Sequence, residues 1–265
     1  MKIRFKYDIK TNYFFIKLVF SNKMVYPTDG RNHYSGILNE KKITDYLNEN
    51  HKTLFGSNIS FKQRGGTQTV DDIEVIKDGT KIASISVKNH SKNGGTFDYI
   101  NTSKIESYLD DTETLNKNLL DIKNNKLSES ETRNNVNNHL EKYIEKINIK
   151  KILDNIHSQS PEYLIINEEG KYIHIINHNE IFAPFYNPES TFYIKKTNRS
   201  KTSGQIWCKL NNLDFNTNLR VRLILNNGIN AFIGTSKSNK TSIPTIKIQQ
   251  DSVKKLLSRV TKLIL

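Results

Sequence analysis

Cysteine and long apolar runs are almost missing from this sequence. The single cysteine, Cys208, excludes an internal disulfide, and no pairing nearby suggests a base that would activate its thiol. The longest apolar run, residues 13–20, contains Lys17 and is too short to span a bilayer. The first ten residues, MKIRFKYDIK, lack the apolar core of a signal peptide. We therefore expect a cytoplasmic protein with no membrane partner.

Acidic residues are few relative to basic ones. The 265 residues include 40 Lys and Arg against 27 Asp and Glu, which gives a formal net charge of +13. This excess favours a polyanionic partner, nucleic acid before membrane. An alternative is a coding sequence rich in A and T, which inflates Lys, Asn and Ile. No Cys/His zinc spacing, phosphate-binding Walker loop or G-x-S-x-G elbow is present.

The hydrophobic pattern predicts one α/β (α+β) domain. With 35% hydrophobic residues the chain can bury a core. The pattern predicts a helix over 36–56, a short strand within 57–66, a hairpin that turns at 77–80, helices over 103–157, a hairpin over 162–177, strands over 191–196 and 219–225, and an amphipathic helix over 251–265. We expect a single domain over 1–265, divided into an N-terminal β extension (1–30), a core (31–125), a helical segment (126–160) and a second half (161–265).

The stretch DDIEVIKDGTKIASISVKNHSKNGG carries the main candidate site. Hydrolysis of a phosphodiester with a divalent ion needs a carboxylate ligand and a positive group near the attacking water. Asp72 opens the first strand of the predicted hairpin and Lys88 closes the second, so both lie at the same open end. Ser86 shares the face of Lys88, and the Val87 carbonyl is a candidate ligand for a hard cation such as Mg²⁺. Two alternatives stay open: Asp71 in place of Asp72, and an edge hairpin with solvated charges.

The order of these residues resembles a known nuclease core. A D-x(13)-S-x-K pattern after an N-terminal helix is similar to the PD-(D/E)xK core, a mixed β-sheet flanked by helices. The chain resembles most closely the type II restriction endonucleases of the HhaI, HinP and MspI kind, over roughly residues 35–105 and 160–260. The segments that carry the resemblance are GILNEKKITDYLNE, DDIEV, ISVKNHSKNGGTF, EYLIINEEGKYIHIINHNEIFAPFYNPESTFYIKKTNRSK and SKSNKTSIPTIKIQQDSVKKLLSRV.

The resemblance implies a Mg²⁺-dependent restriction endonuclease that cuts double-stranded DNA at a short palindromic site, with GCGC the first to test. The products would carry 5′-phosphate and 3′-hydroxyl ends. A cognate DNA methyltransferase would be encoded nearby. Residues 31–125 would form the catalytic core and residues 161–265 the half that recognises DNA.

The resemblance also implies roles for individual residues. Asp72 would be the main metal ligand, Lys88 the catalytic lysine and Glu40 an auxiliary acid on the first helix. One residue departs from the general motif, because Ser86 stands where a carboxylate is usual. The HinP and MspI kinds carry an amide there, so an acid is not obligatory. Since Ser86 offers one neutral oxygen, either Glu40 and a phosphate oxygen would complete the coordination or the enzyme would be slow.

Two basic clusters in the second half of the chain are candidates for contact with DNA. Lysine and arginine bind phosphates. Arginine, lysine, asparagine and glutamine can also form hydrogen bonds with the edges of the bases. Solvated surface loops are the alternative for any one residue. Asn89 and His90 directly follow Lys88 and would reach the scissile phosphate or cap the strand. The clusters consist of Lys195, Lys196, Arg199, Lys201, Lys237, Asn239 and Lys240.

Two other functions stay open at the level of the sequence. A protein of the same fold that has lost its chemistry through Ser86 would only bind DNA. A nuclease of the same fold could also serve in repair or homing. For each of these functions, including the restriction enzyme, we expect a monomer or a dimer.

Overall fold

A computed structural model describes the following residues of the chain: 3–8, 13–19, 32–54, 56–64, 71–90, 97–168, 172–179, 187–197, 200–236, 240–251, 253 and 256. Within them, the elements in chain order are β1 (Ile3–Asp8), β2 (Tyr13–Val19), α1 (Asn32–Leu54), β3 (Ile59–Gln63), β4 (Ile73–Lys77), β5 (Thr80–His90), β6 (Phe97–Thr102), a 3₁₀ turn (Ile105–Ser107), α2 (Thr112–Asn124), α3 (Glu129–Ile144), α4 (Ile149–Gln159), β7 (Tyr163–Glu168), β8 (Tyr172–Asn177), β9 (Thr191–Thr197), β10 (Ser200–Leu210), β11 (Leu213–Leu225), α5 (Gly228–Ile233) and β12 (Pro244–Gln250).

The first sheet contains seven strands in the order β1-β2-β8-β7-β5-β4-β3. Its neighbouring strands are antiparallel except β5 and β7, which run parallel. Helix α1 packs on this sheet because Ile43 and Leu47, four residues apart, share one helix face. They meet the buried strand residues Ile73, Ile85 and Ile165. This layer forms the core that supports the candidate site.

The β4–β5 hairpin is confirmed where the sequence predicts it. The two residues between the strands, Asp78 and Gly79, have φ angles of +49° and +81°. Positive φ at both central residues is typical of a type I′ turn, which matches the twist of the strands that it joins. The register pairs Ile73 with Ile85, so β5 continues beyond the beginning of β4.

The second sheet contains five antiparallel strands in the order β6-β12-β11-β10-β9. Helix α3 packs against β10 and β11. The strand residues on that side are apolar and almost fully buried, among them Cys208, Val221 and Leu223. The predicted α/β (α+β) class is confirmed as a mixed fold with two mostly antiparallel sheets flanked by helices.

The contacts within the chain group it into two compact units. The first contains Met1–Gly95, His157–Pro184 and Val253–Leu265, and the second contains Thr96–Ile156 and Phe185–Ser252. The expectation of one domain over 1–265 stays a prediction. None of the helices among the described residues has both the length and the apolar character that crossing a membrane requires.

Three elements were not predicted from the sequence: β6, β10 and α5. The first half of β10 reads as a polar loop because it contains Ser, Thr, Lys and Gly without clear alternation. The strand forms there because β9 and β11 pair with it on both sides. Most of the amphipathic stretch 251–265 lies outside the described residues, apart from helical positions 253 and 256.

Candidate active site

The aspartate that precedes β4 is held by the backbone of β5. The Asp72 N–H donates to the Ile85 carbonyl at 3.0 Å. Because β4 begins only at Ile73, it offers no strand partner to the backbone of Val87. The Asp72 carboxylate takes that place, since its Oδ2 accepts hydrogen bonds from the Val87 N–H at 2.6 Å and from Ser86 Oγ at 3.1 Å. Asp72 is thereby fixed against the S-V-K stretch of β5.

Two oxygen atoms at this edge suit a divalent cation. In an extended strand the N–H and C=O of one residue point to the same neighbour. Because the Val87 N–H meets Asp72, the Val87 carbonyl is directed to the same edge. Asp72 Oδ1 accepts no hydrogen bond from a described residue, so it keeps its lone pairs for another ligand. Hard cations prefer oxygen ligands of these two kinds.

A closed cage of side chains is absent from the described ranges, which contain no group of three His, Cys, Asp or Glu residues placed to hold a metal ion. The two oxygen donors, Asp72 Oδ1 and the Val87 carbonyl, would suit an ion such as Mg²⁺ by their chemistry, because this ion usually keeps water and substrate phosphates as its other ligands.

Lys88 follows on the same face of β5 as Ser86. Ser84 and Ser86 on this face are only 5% and 6% exposed. Ile85 and Val87 alternate with them and pack in the core under α1. Lys88 is half-buried and forms no ion pair with another described residue, so its ammonium group remains available to a water or a phosphate.

The neighbouring Asp71 has different partners. Its Oδ2 accepts hydrogen bonds from Lys81 Nζ at 2.6 Å and from Ser84 Oγ at 2.8 Å. Burial raises the pKa of Asp71, but these two hydrogen bonds and the charge of Lys81 outweigh it and bring the pKa below its usual value. Asp71 is thus an ion-paired carboxylate, whereas Asp72 is engaged by neutral donors.

Glu40 lies on α1, and its described neighbour is Gln63 at the end of β3. Gln63 Nε2 donates to Glu40 Oε2 at 3.4 Å and to the Ile37 carbonyl at 3.0 Å. Gln63 pairs with Ile73, the residue after Asp72. The link between Glu40 and the beginning of β4 therefore runs through the last residue of β3.

Three asparagines, two of them buried, form a hydrogen-bonded group beside the candidate catalytic residues. Asn39 Nδ2 donates to Asn89 Oδ1 at 2.6 Å, and Asn167 Nδ2 donates to Asn39 Oδ1 at 2.6 Å. Asn39 and Asn167 are each 1% exposed. These hydrogen bonds connect α1 to β5 and β7. Asn39 directly precedes Glu40 in the sequence, and Asn89 directly follows Lys88. The signal in the sequence was Asn167 itself, a polar residue that ends the apolar run of β7.

The charge of Lys88 also lowers the pKa of a buried histidine, His178. Burial is the main reason that the pKa of His178 falls to about 4, and the positive charges of His157 and Lys88 lower it further. His178 is 2% exposed, and its N–H on the main chain donates to the Glu162 carbonyl at 2.8 Å. It is therefore neutral at physiological pH.

Two lysines of the basic cluster within residues 195–201, Lys196 and Lys201, lie against α3. Lys196 approaches Glu141 of this helix at 3.8 Å and Glu145, which directly follows the helix, at 3.6 Å. Lys201 Nζ donates to Asn138 Oδ1, also on α3, at 2.7 Å. Two of the lysines predicted to contact DNA are thus engaged with a helix of the same unit.

Lys195 lies on the opposite face of the same sheet. Its Nζ is 3.6 Å from the ring centroid of Trp207. Lys240 is exposed in the loop that leads to β12. Other candidates lie outside the described residues, namely Arg199, Lys237, Asn239 and the side chain of His90.

Comparison of the chain with models of known protein families and with curated proteins gives no match.

Proposed function

We propose that this protein is a Mg²⁺-dependent endonuclease of the PD-(D/E)xK class that cuts double-stranded DNA, of the type II restriction kind. The observation that carries the proposal is the position of Asp72. Its carboxylate is hydrogen-bonded to the S-V-K stretch of β5, next to the Val87 carbonyl and two residues from Lys88. A mixed sheet with one parallel pair, β5 and β7, covered by α1, supports the same class.

The roles of the residues follow from their chemistry. Asp72 Oδ1 and the Val87 carbonyl would hold the ion, with Glu40 as an auxiliary acid reached through the end of β3. When bound, the ion supplies Lewis-acid stabilisation of charge on the phosphodiester. Lys88 would orient the attacking water by donating a hydrogen bond, and its charge would offset the negative charge that develops on the phosphate.

The excess of basic residues supports a nucleic acid as substrate. The resemblance to restriction enzymes adds a short palindromic site, and GCGC is the first target. Specific recognition would come from the half of the chain after residue 160.

A protein that binds DNA without cutting it is the second candidate, and Ser86 is the observation that favours it. The Ser86 hydroxyl donates a hydrogen bond to Asp72 Oδ2 at 3.1 Å and carries no charge. Two carboxylates at these positions would bind the ion more tightly than one carboxylate and a hydroxyl. Loss of cleavage with retained binding would therefore be a physical consequence of this serine.

Digestion of plasmid DNA separates these functions. With Mg²⁺ the protein should give discrete fragments whose sequenced ends share one short motif, and chelation of the ion should stop the reaction. Lys88→Ala should reduce cleavage at least about a hundredfold, the usual effect of removing a group that stabilises developing charge. Lys77→Ala is the matched control, because Lys77 is an exposed lysine of the same hairpin.

The other outcomes are equally definite. Intact plasmid together with a gel shift would leave only the binding protein. Nicks without sequence preference would favour a repair nuclease over a restriction enzyme. Cleavage by Lys88→Ala at the rate of the wild type would refute the assigned site.

A further inference from the structure

The second sheet has a polar face on the side opposite α3. Along β11 the buried residues Leu219, Val221 and Leu223 alternate with Arg220 and Arg222, which are only half-buried. The same alternation holds along β12. We call this surface the polar sheet face. It includes the side chains of Lys195, Gln205, Arg220, Arg222, Lys247 and Gln249.

The strand register arranges these side chains in rows. One row crosses four neighbouring strands, each member paired with the next, and consists of Lys195, Gln205, Arg220 and Gln249. With neighbouring strands about 4.8 Å apart, this row is roughly 14 Å long. A major groove of B-DNA is about 12 Å wide, so the row is long enough to cross it. Arg222 and Lys247 pair in a second row beside the first.

Part of the charge on this face is balanced within the unit. Arg220 forms an ion pair with Asp251, and Lys247 approaches Asp98 at 3.5 Å. Lys195 and Arg222 have no carboxylate partner among the residues that the structure describes. Lys195 lies instead over the ring of Trp207. The face therefore keeps two positive charges for an external anion.

We infer that the polar sheet face is a binding surface for double-stranded DNA. Lys195 and Arg222 would contact phosphates. The side-chain nitrogens of Gln205 and Gln249 donate to Asp251 Oδ2 at 2.6 Å and to Asp98 Oδ1 at 2.7 Å, so the proposed contacts are to the DNA backbone. An acidic protein would match the charge alone, whereas the length of the row also matches the width of the major groove. The choice of duplex DNA rests on the proposed function, while the location of the surface rests on the sheet.

The chain offers a matched pair of variants for a test. Lys195→Gln combined with Arg222→Gln removes two charges from the polar sheet face, and Lys196→Gln combined with Lys201→Gln removes two charges from the side of α3. Lys195 and Lys196 are consecutive residues of β9. Glutamine retains part of each aliphatic stem, and circular dichroism would confirm that each variant folds.

Binding would be measured on duplex DNA without divalent ions and in an Asp72→Asn background, so that cleavage plays no part. Each lost phosphate contact lowers the slope of log affinity against log salt by about 0.9. For the face variant we expect a slope lower by about 1.8, which means that raising salt from 50 to 200 mM weakens the unmodified face about 12-fold more than the variant. The α3-side variant should keep the original slope.

The outcomes separate this inference from the proposed function. An unchanged slope in the face variant, or an equal loss in the α3-side variant, would place the DNA surface elsewhere and overturn the inference. Absence of any binding to duplex DNA at 50 mM salt would overturn it as well. Normal binding through this face by a wild-type protein that never cleaves would refute only the nuclease.

Discussion

Asp72 has a structural and a proposed catalytic role, and two substitutions separate them. The Asp72→Asn variant would keep one side-chain oxygen, which can still accept the hydrogen bonds from the Val87 N–H and Ser86 Oγ. The new amide nitrogen would then occupy the position of Oδ1 and present protons where a cation needs an oxygen. Asp72→Ala would remove both functions and leave the Val87 N–H without its acceptor.

The magnitudes follow from the two hydrogen bonds at 2.6 and 3.1 Å. A hydrogen bond to a charged group contributes about 1.5–3 kcal/mol, and a buried donor left without a partner costs about 1–3 kcal/mol. We expect Asp72→Ala to lower the free energy of unfolding by about 2 kcal/mol and Asp72→Asn by about 1 kcal/mol or less. For a chain of this size a 2 kcal/mol loss lowers Tm by roughly 4–8 °C. Both variants should lose DNA cleavage.

The assay combines urea denaturation with plasmid cleavage at several Mg²⁺ concentrations. Asp78→Asn is the matched control, because Asp78 is an exposed carboxylate in the turn of the same hairpin. Its φ of +49° is a conformation that asparagine accepts, so stability and cleavage should not change. Wild-type cleavage by Asp72→Asn would refute the metal-ligand role. Equal stability of the alanine and asparagine variants would refute the structural role of the carboxylate.

Two further predictions concern stability. Gly204→Ala should lower the free energy of unfolding by about 1–3 kcal/mol, because its Cβ would lie 2.3 Å from Ile194 Cγ2 and 2.9 Å from the Lys195 carbonyl oxygen. The control is Gly36→Ala in α1, where a Cβ would meet nothing within 4 Å. This control should not destabilise the protein in the same denaturation assay. Because burial lowers the pKa of His178 to about 4 from 6.5, the unfolded chain binds a proton between these values that the folded chain does not, so stability falls as pH falls through that window. Denaturation at pH 7 and pH 5 should show a loss on the order of 2 kcal/mol from this group, absent in His178→Gln, and an equal pH dependence in both proteins would contradict the buried neutral histidine.

Local patterns were sufficient to predict the hairpin and the first helix. The Asp78-Gly79 pair between two alternating strands specifies its turn through residues that are adjacent in the chain. Ile43 and Leu47 specify the buried face of α1 in the same way. Both signals lie within one turn or one helix, so no distant contact is needed to interpret them.

The network around the candidate site depends on contacts that are distant in the sequence. Asn39 and Asn167 are 128 residues apart and meet because α1 packs on the sheet in which β7 pairs with β5. The bond from the Val87 N–H to Asp72 exists because β5 continues past the point where β4 begins, which is a property of the register. A sequence pattern places Asp72 and Val87 at one end of a hairpin but does not show which atoms meet.

Consecutive lysines illustrate the same limit for the basic clusters. Lys195 and Lys196 are consecutive at the end of the predicted strand 191–196, and a count of basic residues treats them as one patch. In a strand they point to opposite faces, so Lys196 meets acids of α3 while Lys195 covers Trp207. Net charge predicts the class of partner, and only the pairing of β9 with β10 separates the two surfaces.

The serine at position 86 connects cation binding to DNA binding in the proposed enzyme. Ser86 is neutral, and its hydroxyl donates a hydrogen bond to Asp72, so residue 86 adds no negative charge to the site. A single fixed carboxylate holds a divalent ion weakly. Phosphate oxygens would then supply a larger share of the ligands than in an enzyme with two acids. The ion should therefore bind much more tightly when DNA is present, and by linkage it should strengthen DNA binding by the same factor. A site of this kind would assemble fully only on its substrate.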